Sequence, residues 1–218
     1  MKKAIPFFIV TLFFLACSTD ADSNEQNINN VDDSVQEATI AIPDEAFEQA
    51  LIDLNLDSEL NGEVNKSNID FVTELILSEK GITDLSGIAE FQNLESLNVR
   101  GNQLSSLDLS DNANLLFVWA EDNELESINV DGLRSLEKIG ADRNSLENIN
   151  VTTNTALQLL TVSENGLIGI DLTSNGALTD FNVVGNPLNC ILVNQTQLDE
   201  IPTDWVKDEE DNYALDCQ

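Results

Sequence analysis

Histidine is absent from the 218 residues, and nine lysines and arginines stand against forty aspartates and glutamates. The first absence excludes histidine-based triads, histidine general bases and histidine metal ligands. The second gives a formal net charge of −31, so the surface repels nucleic acid and anionic lipid headgroups while staying soluble and attracting cations. No glycine-rich loop of the phosphate-cradling kind occurs. Carboxylates are abundant, but no spacing gathers two of them in a cleft as glycoside hydrolysis requires. The chain therefore reads as a non-enzyme without a resident cofactor. Cysteines are Cys17, Cys190 and Cys217 only. Apolar runs are scarce too, and the one from Ala4 to Ala16 is too short for a permanent membrane-spanning helix.

That run begins after Lys2 and Lys3, as the core of a secretory signal does. It ends in Phe14-Leu15-Ala16-Cys17, which resembles the lipobox of bacterial lipoproteins. The resemblance implies a signal peptide over residues 1–16, cleavage before Cys17 and acylation of that cysteine. Ser18 in place of aspartate favours the outer membrane and cell surface. Loss of Lys2 and Lys3 would leave seven basic residues against forty acidic ones. In an exported protein the remaining Cys190 and Cys217 are free to pair.

Residues 17–40 are rich in Ser, Thr, Asn, Asp, Glu and Gln, a composition that cannot bury enough surface to offset chain entropy. They read as a disordered tether, holding the domain roughly 25–30 Å from its anchor. Asp33-Ser34-Val35 within it resembles a bacterial O-glycosylation motif. A helix follows over 44–54. Asp44 can cap it, Glu45 and Glu48 suit its first turn, and Phe47, Ala50, Leu51 and Leu54 fall on one face.

Beyond residue 71 the chain repeats. Leu94, Leu115, Leu136, Leu157 and Leu178 lie 21 residues apart. With each as position one, position nine is Asn102, Asn123, Asn144, Asn165 and Asn186, and position eleven is leucine throughout. Positions four, six, fourteen and sixteen are apolar in all five units. A looser unit precedes them, with Val72, Leu75, Leu77, Ile82, Leu85 and Ile88. No single unit has enough apolar side chains for its own core, but units stacked in register share one. The position-nine Asn, donor and acceptor at once, can satisfy buried backbone groups where the chain leaves the strand.

The pattern L-x-x-L-x-V-x-x-N-x-L resembles the leucine-rich repeat, with internalin-like units of 21 or 22 residues. Ile42-Pro43-Asp44 with Phe47 in front, and Cys190-Ile191-Leu192-Val193 with Trp205 and Cys217 behind, resemble the ends of secreted repeat proteins of Bacteroidetes-type bacteria. These resemblances imply a right-handed solenoid poor in helix, with a parallel β-sheet on its concave face. They imply a helical N-terminal cap over 41–71, about six repeats over 72–193, and a C-terminal cap over 194–218 stapled by Cys190–Cys217.

The implied binding surface is the concave face, where positions three, five and seven point outward. Phe117 and Trp119 stand there on one central strand, as hot spots do. Gly140 on the next strand leaves the indole room to lie flat. Arg100, Lys138, Arg143 and Leu159 join the expected ligand-binding set. The aromatic pair suits a protein side chain or a sugar ring, and the basic groups can equally pair with Glu121, Asp122 and Asp142. Asp57 to Asn68 resembles an EF-hand-like calcium loop, with Asp57, Glu59, Asn61, Glu63 and Asn65 as oxygen donors and Gly62 at the turn. Its last position is Asn68 rather than a bidentate carboxylate. The expected function is a lipid-anchored binding module for a protein partner on the host or another cell. Alternatives are a glycan-binding lipoprotein and a structural envelope protein. The lipid anchor is the only expected contact with the membrane, and nucleic acid is excluded.

Overall fold

The computed structural model describes residues 37–217. The expected signal peptide, Cys17 and the Asp33-Ser34-Val35 motif lie outside them.

The fold opens on β1 (Thr39–Ala41), α1 (Glu45–Asp53), β2 (Glu63–Asn65) and the short α2 (Lys66–Ile69). β1 and β2 pair antiparallel, so ordered backbone begins before residue 41, inside the stretch read as tether. α1 has the expected cap. The Asp44 carboxylate accepts from the Phe47 amide at 2.8 Å, and its other oxygen takes the Thr83 amide, the Thr83 hydroxyl and the Asp84 amide. One side chain thus starts the helix and ties it to the first repeat unit. Phe47, Ala50 and Leu51 are buried, and the Phe47 and Phe91 rings stand 6.3 Å apart. Leu54 departs from expectation: it caps the C-terminus of the helix and is exposed.

The repeats supply β3 (Glu74–Ile76), β4 (Ser96–Asn98), β5 (Ser106–Asp108), β6 (Phe117–Trp119), β7 (Ser127–Asn129), β8 (Lys138–Gly140), β9 (Leu159–Thr161), β10 (Gly169–Asp171), β11 (Asp180–Asn182) and β12 (Cys190–Leu192). The last segment adds α3 (Gln195–Asp199), β13 (Asp204–Val206) and β14 (Tyr213–Ala214). One parallel sheet of seven strands runs β13-β11-β9-β8-β6-β4-β3. A second row of strands holds β5-β7 and β10-β12-β14, also parallel. Side chains at positions four, six, fourteen and sixteen fill the single core between the two rows.

The sheet has one strand more than the six units expected. Trp205 is the reason. It stands in register with Phe181, its ring 5.4 Å away, and its indole N–H donates to the Leu178 carbonyl. The C-terminal segment therefore forms a seventh coil. Its end is held by the Cys190–Cys217 disulfide implied by the resemblance.

Asparagine ladders bind the coils edge to edge. Asn144 Nδ2 donates to the carbonyls of Ala141 in its own coil and Ala120 in the preceding one, while its Oδ1 accepts from the Leu125 amide. Asn102, Asn123, Asn165 and Asn186 repeat the scheme. The residue before each of these five Asn has a positive φ, between 52° and 78°, and so does Glu79 (56°) at the matching place in the first unit, before Lys80. Only two of these six positions, Gly101 and Gly185, are glycine. At Glu79, Asp122, Arg143 and Glu164 the local backbone cost is carried by the ladder. A second, wholly buried ladder lies on the far side of the core. Asn112, Asn154 and Asn175 each donate to carbonyls of the preceding coil, Gln197 continues the row, and Leu133 interrupts it.

Candidate functional site

The outer face of the seven-stranded sheet presents three rows of side chains. Strand pairing sets the register: Ser96, Phe117, Lys138, Leu159 and Asp180 form one row, and Asn98, Trp119, Gly140, Thr161 and Asn182 the next. Ile76 and Val206 extend the second row at its two ends. That middle row is uncharged along all seven strands, although 22% of the chain is charged. Its flanks carry the charge.

Trp119 and Phe117 are half-buried at the centre. A β-carbon at Gly140 would stand 2.8 Å from the Trp119 ring and 2.6 Å from a Glu121 oxygen, so the expected room for the indole exists only because residue 140 is glycine. The Arg100 guanidinium sits 4.9 Å from the centre of the Trp119 ring and pairs with the buried Glu121 carboxylate. Hydrogen bonding to Glu121 raises the Arg100 pKa against the opposing effect of burial. Arg100 therefore braces the indole and neutralises Glu121 together.

The other basic residues divide. Arg143 lies one step beyond the outward strand positions, in the left-handed turn (φ 54°), with its guanidinium held in two contacts by Asp122. The hydrogen bond from Arg143 is the largest influence holding the Asp122 carboxyl below its usual value. The structure thus places Arg143 at the rim and commits it to Asp122. Asp142 turns to the Ser163 amide and hydroxyl instead of a cation. Lys138 has no carboxylate partner among the described residues; its ammonium stands 5.6 Å from the centre of the Phe117 ring. Leu159 follows Lys138 on the next strand and is half-buried. Phe117, Trp119, Lys138 and Leu159 thus form one patch, with Arg100 underpinning it.

The loop expected to bind calcium runs from Asp57 to Asn68. Asp57 Oδ2 is buried without a partner among the described residues, which would suit a cation. The rest does not follow. Among the described residues no three aspartate, glutamate or cysteine side chains gather closely enough to hold a metal ion. Glu59, Asn61 and Glu63 are exposed, and Glu63 to Asn65 is strand β2. The loop amides face an anion instead: those of Asn61 and Gly62 donate to the buried Glu48 carboxylate at 2.7 and 2.6 Å, and that of Glu63 at 3.3 Å. A carboxylate of α1 organises this turn, and the donors do not fit calcium. Sequence reasoning gave Glu48 only a place in the first helical turn. No local pattern signals its burial, because its partners lie thirteen to fifteen residues away.

Comparison with protein families matches residues 42–165, more than half of the chain, to a domain described as the leucine-rich-repeat domain of the endo-beta-N-acetylglucosaminidase EndoS. The chain belongs to this leucine-rich-repeat family. Among solved structures it is similar to the functional domain of InlJ from Listeria monocytogenes, which includes a cysteine ladder. That likeness has 23% identity and a TM-score of 0.63, over 72% of this chain and 38% of that one. It is also similar to internalin C2 of the same organism, at 19% identity and a TM-score of 0.45, over 80% of this chain and 95% of that one. The chain thus spans well under half the length of the InlJ domain. No curated protein matches it. The leucine-rich-repeat assignment agrees with the stacked coils, the Asn ladder and the single parallel sheet. Among the described residues no helix is long and apolar enough to cross a membrane.

Proposed function

We propose that the chain is a membrane-tethered binding module that engages a protein partner through the outer face of its seven-stranded sheet. The observation that carries this reading is the central patch: two partly exposed aromatic rings, Trp119 in the uncharged row and Phe117 beside it in the next, with Leu159 and the carboxylate-free Lys138, on an otherwise acidic molecule. Aromatic anchors near the middle of a surface concentrate binding energy, and charged flanks choose among partners. Solenoid sheets present surfaces of this kind to partners. The reading is of a scaffold, not an enzyme.

A second reading, glycan capture, is favoured by one arrangement. The Trp119 ring reaches over the space left by Gly140, in a row whose nearest polar members are the neutral Asn98, Thr161 and Asn182. Purified chain and a Phe117→Ala/Trp119→Ala variant would be screened against arrays of extracellular proteins and of glycans. The protein reading expects a protein ligand whose affinity falls by roughly tenfold or more in the variant. A glycan ligand lost in the variant would establish the second reading. Binding unchanged in the variant would remove the sheet face as the site. Absence of any ligand would favour a purely structural envelope protein.

The tethering part rests on the resemblance of Phe14-Leu15-Ala16-Cys17 to a lipobox. It is a proposal of export, cleavage before Cys17, acylation and display at the outer membrane. Labelled fatty acid incorporated into the chain and lost in Cys17→Ser would support it. An unlabelled chain that stays at the cell surface would refute it.

A further inference from the structure

Ile168 breaks the rule of its position. The twelfth residue of the other units is Ser105, Glu126, Glu147 or Asn189. Ile168 is 62% exposed and takes no part in the core. Its neighbours change in the same sense. Gly169 replaces the polar Ser106, Ser127 and Asn148, and Leu192 stands where earlier units have Asp108, Asn129 and Asn150. The second row of strands is also interrupted here. Among the described residues no backbone hydrogen bond joins residues 148–150 to the coils on either side, so β7 and β10 are not linked. The result is a shallow depression of about 460 Å³, lined by Ile149, Ile168, Ile170, Leu192 and the Cys190–Cys217 disulfide. Glu147 and Asp171 add carboxylates, and no lysine or arginine lines it.

Folding does not require this arrangement, because polar residues serve at the same positions elsewhere in the solenoid. The depression falls within the size range of small-ligand and anchor-residue pockets. Its acidic edge sits on a molecule of net charge −31, which disfavours a second copy: two such patches face to face would oppose the same carboxylates. We propose that it docks a short peptide segment of a partner protein in which an apolar side chain stands beside a lysine or arginine. The apolar side chain covers Ile168 and the disulfide, and the basic group meets Glu147 and Asp171. The site lies on β10 and β12 and contains none of the residues of the seven-stranded sheet.

The probes are acetyl-Lys-Leu-Leu-Lys-amide, the acidic acetyl-Glu-Leu-Leu-Glu-amide and the polar acetyl-Lys-Ser-Ser-Lys-amide, titrated into isotopically labelled purified chain and followed through its amide resonances. The first peptide is expected to move residues 147–149, 168–171 and 190–192. The other two should bind roughly tenfold more weakly or not at all. Ile168→Ser, which restores the residue type of Ser105, should weaken the first peptide by roughly tenfold and leave the unfolding midpoint nearly unchanged. A Glu147→Gln/Asp171→Asn pair should weaken it roughly threefold to tenfold. Equal binding of the acidic peptide, no shifts at saturating peptide, or shifts confined to β6 and β8 would overturn the proposal. So would a concentration-dependent dimer abolished by Ile168→Ser, which would assign the patch to self-association. Phe117→Ala/Trp119→Ala should not alter this titration, so it can fail independently of the sheet-face reading.

Discussion

The indole of Trp119 occupies the space that a β-carbon on Gly140 would need. Gly140→Ala must therefore displace the ring or the Glu121 carboxylate beneath Arg100. Overpacking of this kind costs about 1–3 kcal/mol. The expected outcome is a lower denaturant midpoint together with a changed Trp emission spectrum. Unchanged emission in a folded variant would show that the ring does not rest on residue 140.

Asp44 holds the helical cap to the repeats. Burial pushes its pKa up, but hydrogen bonds from the side chain and amide of Thr83 and from the amides of Phe47 and Asp84 outweigh it, and the group lies below its ordinary value of 3.8. A carboxyl depressed in the folded state stabilises that state above the unfolded value, and the contribution is lost as pH falls through the folded one. Asp44→Asn keeps an oxygen for the cap but removes the acceptor for Thr83 and Asp84, and is expected to cost about 1 kcal/mol near neutrality. The difference from the parent should vanish in strong acid, as denaturation at several pH values can show. A gap independent of pH would contradict the assignment.

Leu133 stands at the coil position held elsewhere by Asn112, Asn154 and Asn175, and it is as buried as Leu136. An asparagine at 133 finds a row of carbonyls already arranged for its amide; one at 136 finds only hydrocarbon. Leu136→Asn should cost about 3–5 kcal/mol or abolish folding. Leu133→Asn should cost less than half as much. Equal losses in paired chemical denaturations would mean that the second ladder does not generalise between coils.

Residues 190 and 217 close a loop of 27 residues. Chain-entropy reasoning assigns such a closure about 3.5 kcal/mol. Cys190→Ser/Cys217→Ser should lower the unfolding midpoint accordingly, with hydrogen-exchange protection lost first in β11 to β14. Uniform loss over all coils would instead indicate a single cooperative unit.

Much of the solenoid is legible in the sequence, because it is periodic and each unit repeats the same experiment. The 21-residue spacing, the inward positions and the Asn ladder follow from five aligned copies. Trp119 over Gly140 is legible for the same reason, since register fixes which residues are neighbours. The seventh strand is hidden because Trp205 follows Phe181 by 24 residues, the extra length being taken up around α3. The second Asn ladder is obscured by Leu133 in one unit and by Gln197 at the end. Glu48 and the loop amides escape because a nest of backbone N–H groups has no sequence signature. Pairing of Arg100 and Arg143 with acids lay open in the sequence, since several carboxylates were within reach; only side-chain geometry selects Glu121 and Asp122.

The Asn ladder also has a mechanical consequence. Each rung joins a coil only to the one before it, so tension applied along the stack and through the chain ends would load the rungs one at a time rather than in parallel. The molecule should lengthen in steps of one coil at modest force. The covalent bridge across the last turns then acts as a stop, because residues 190–217 cannot pay out until a sulfur–sulfur bond is broken.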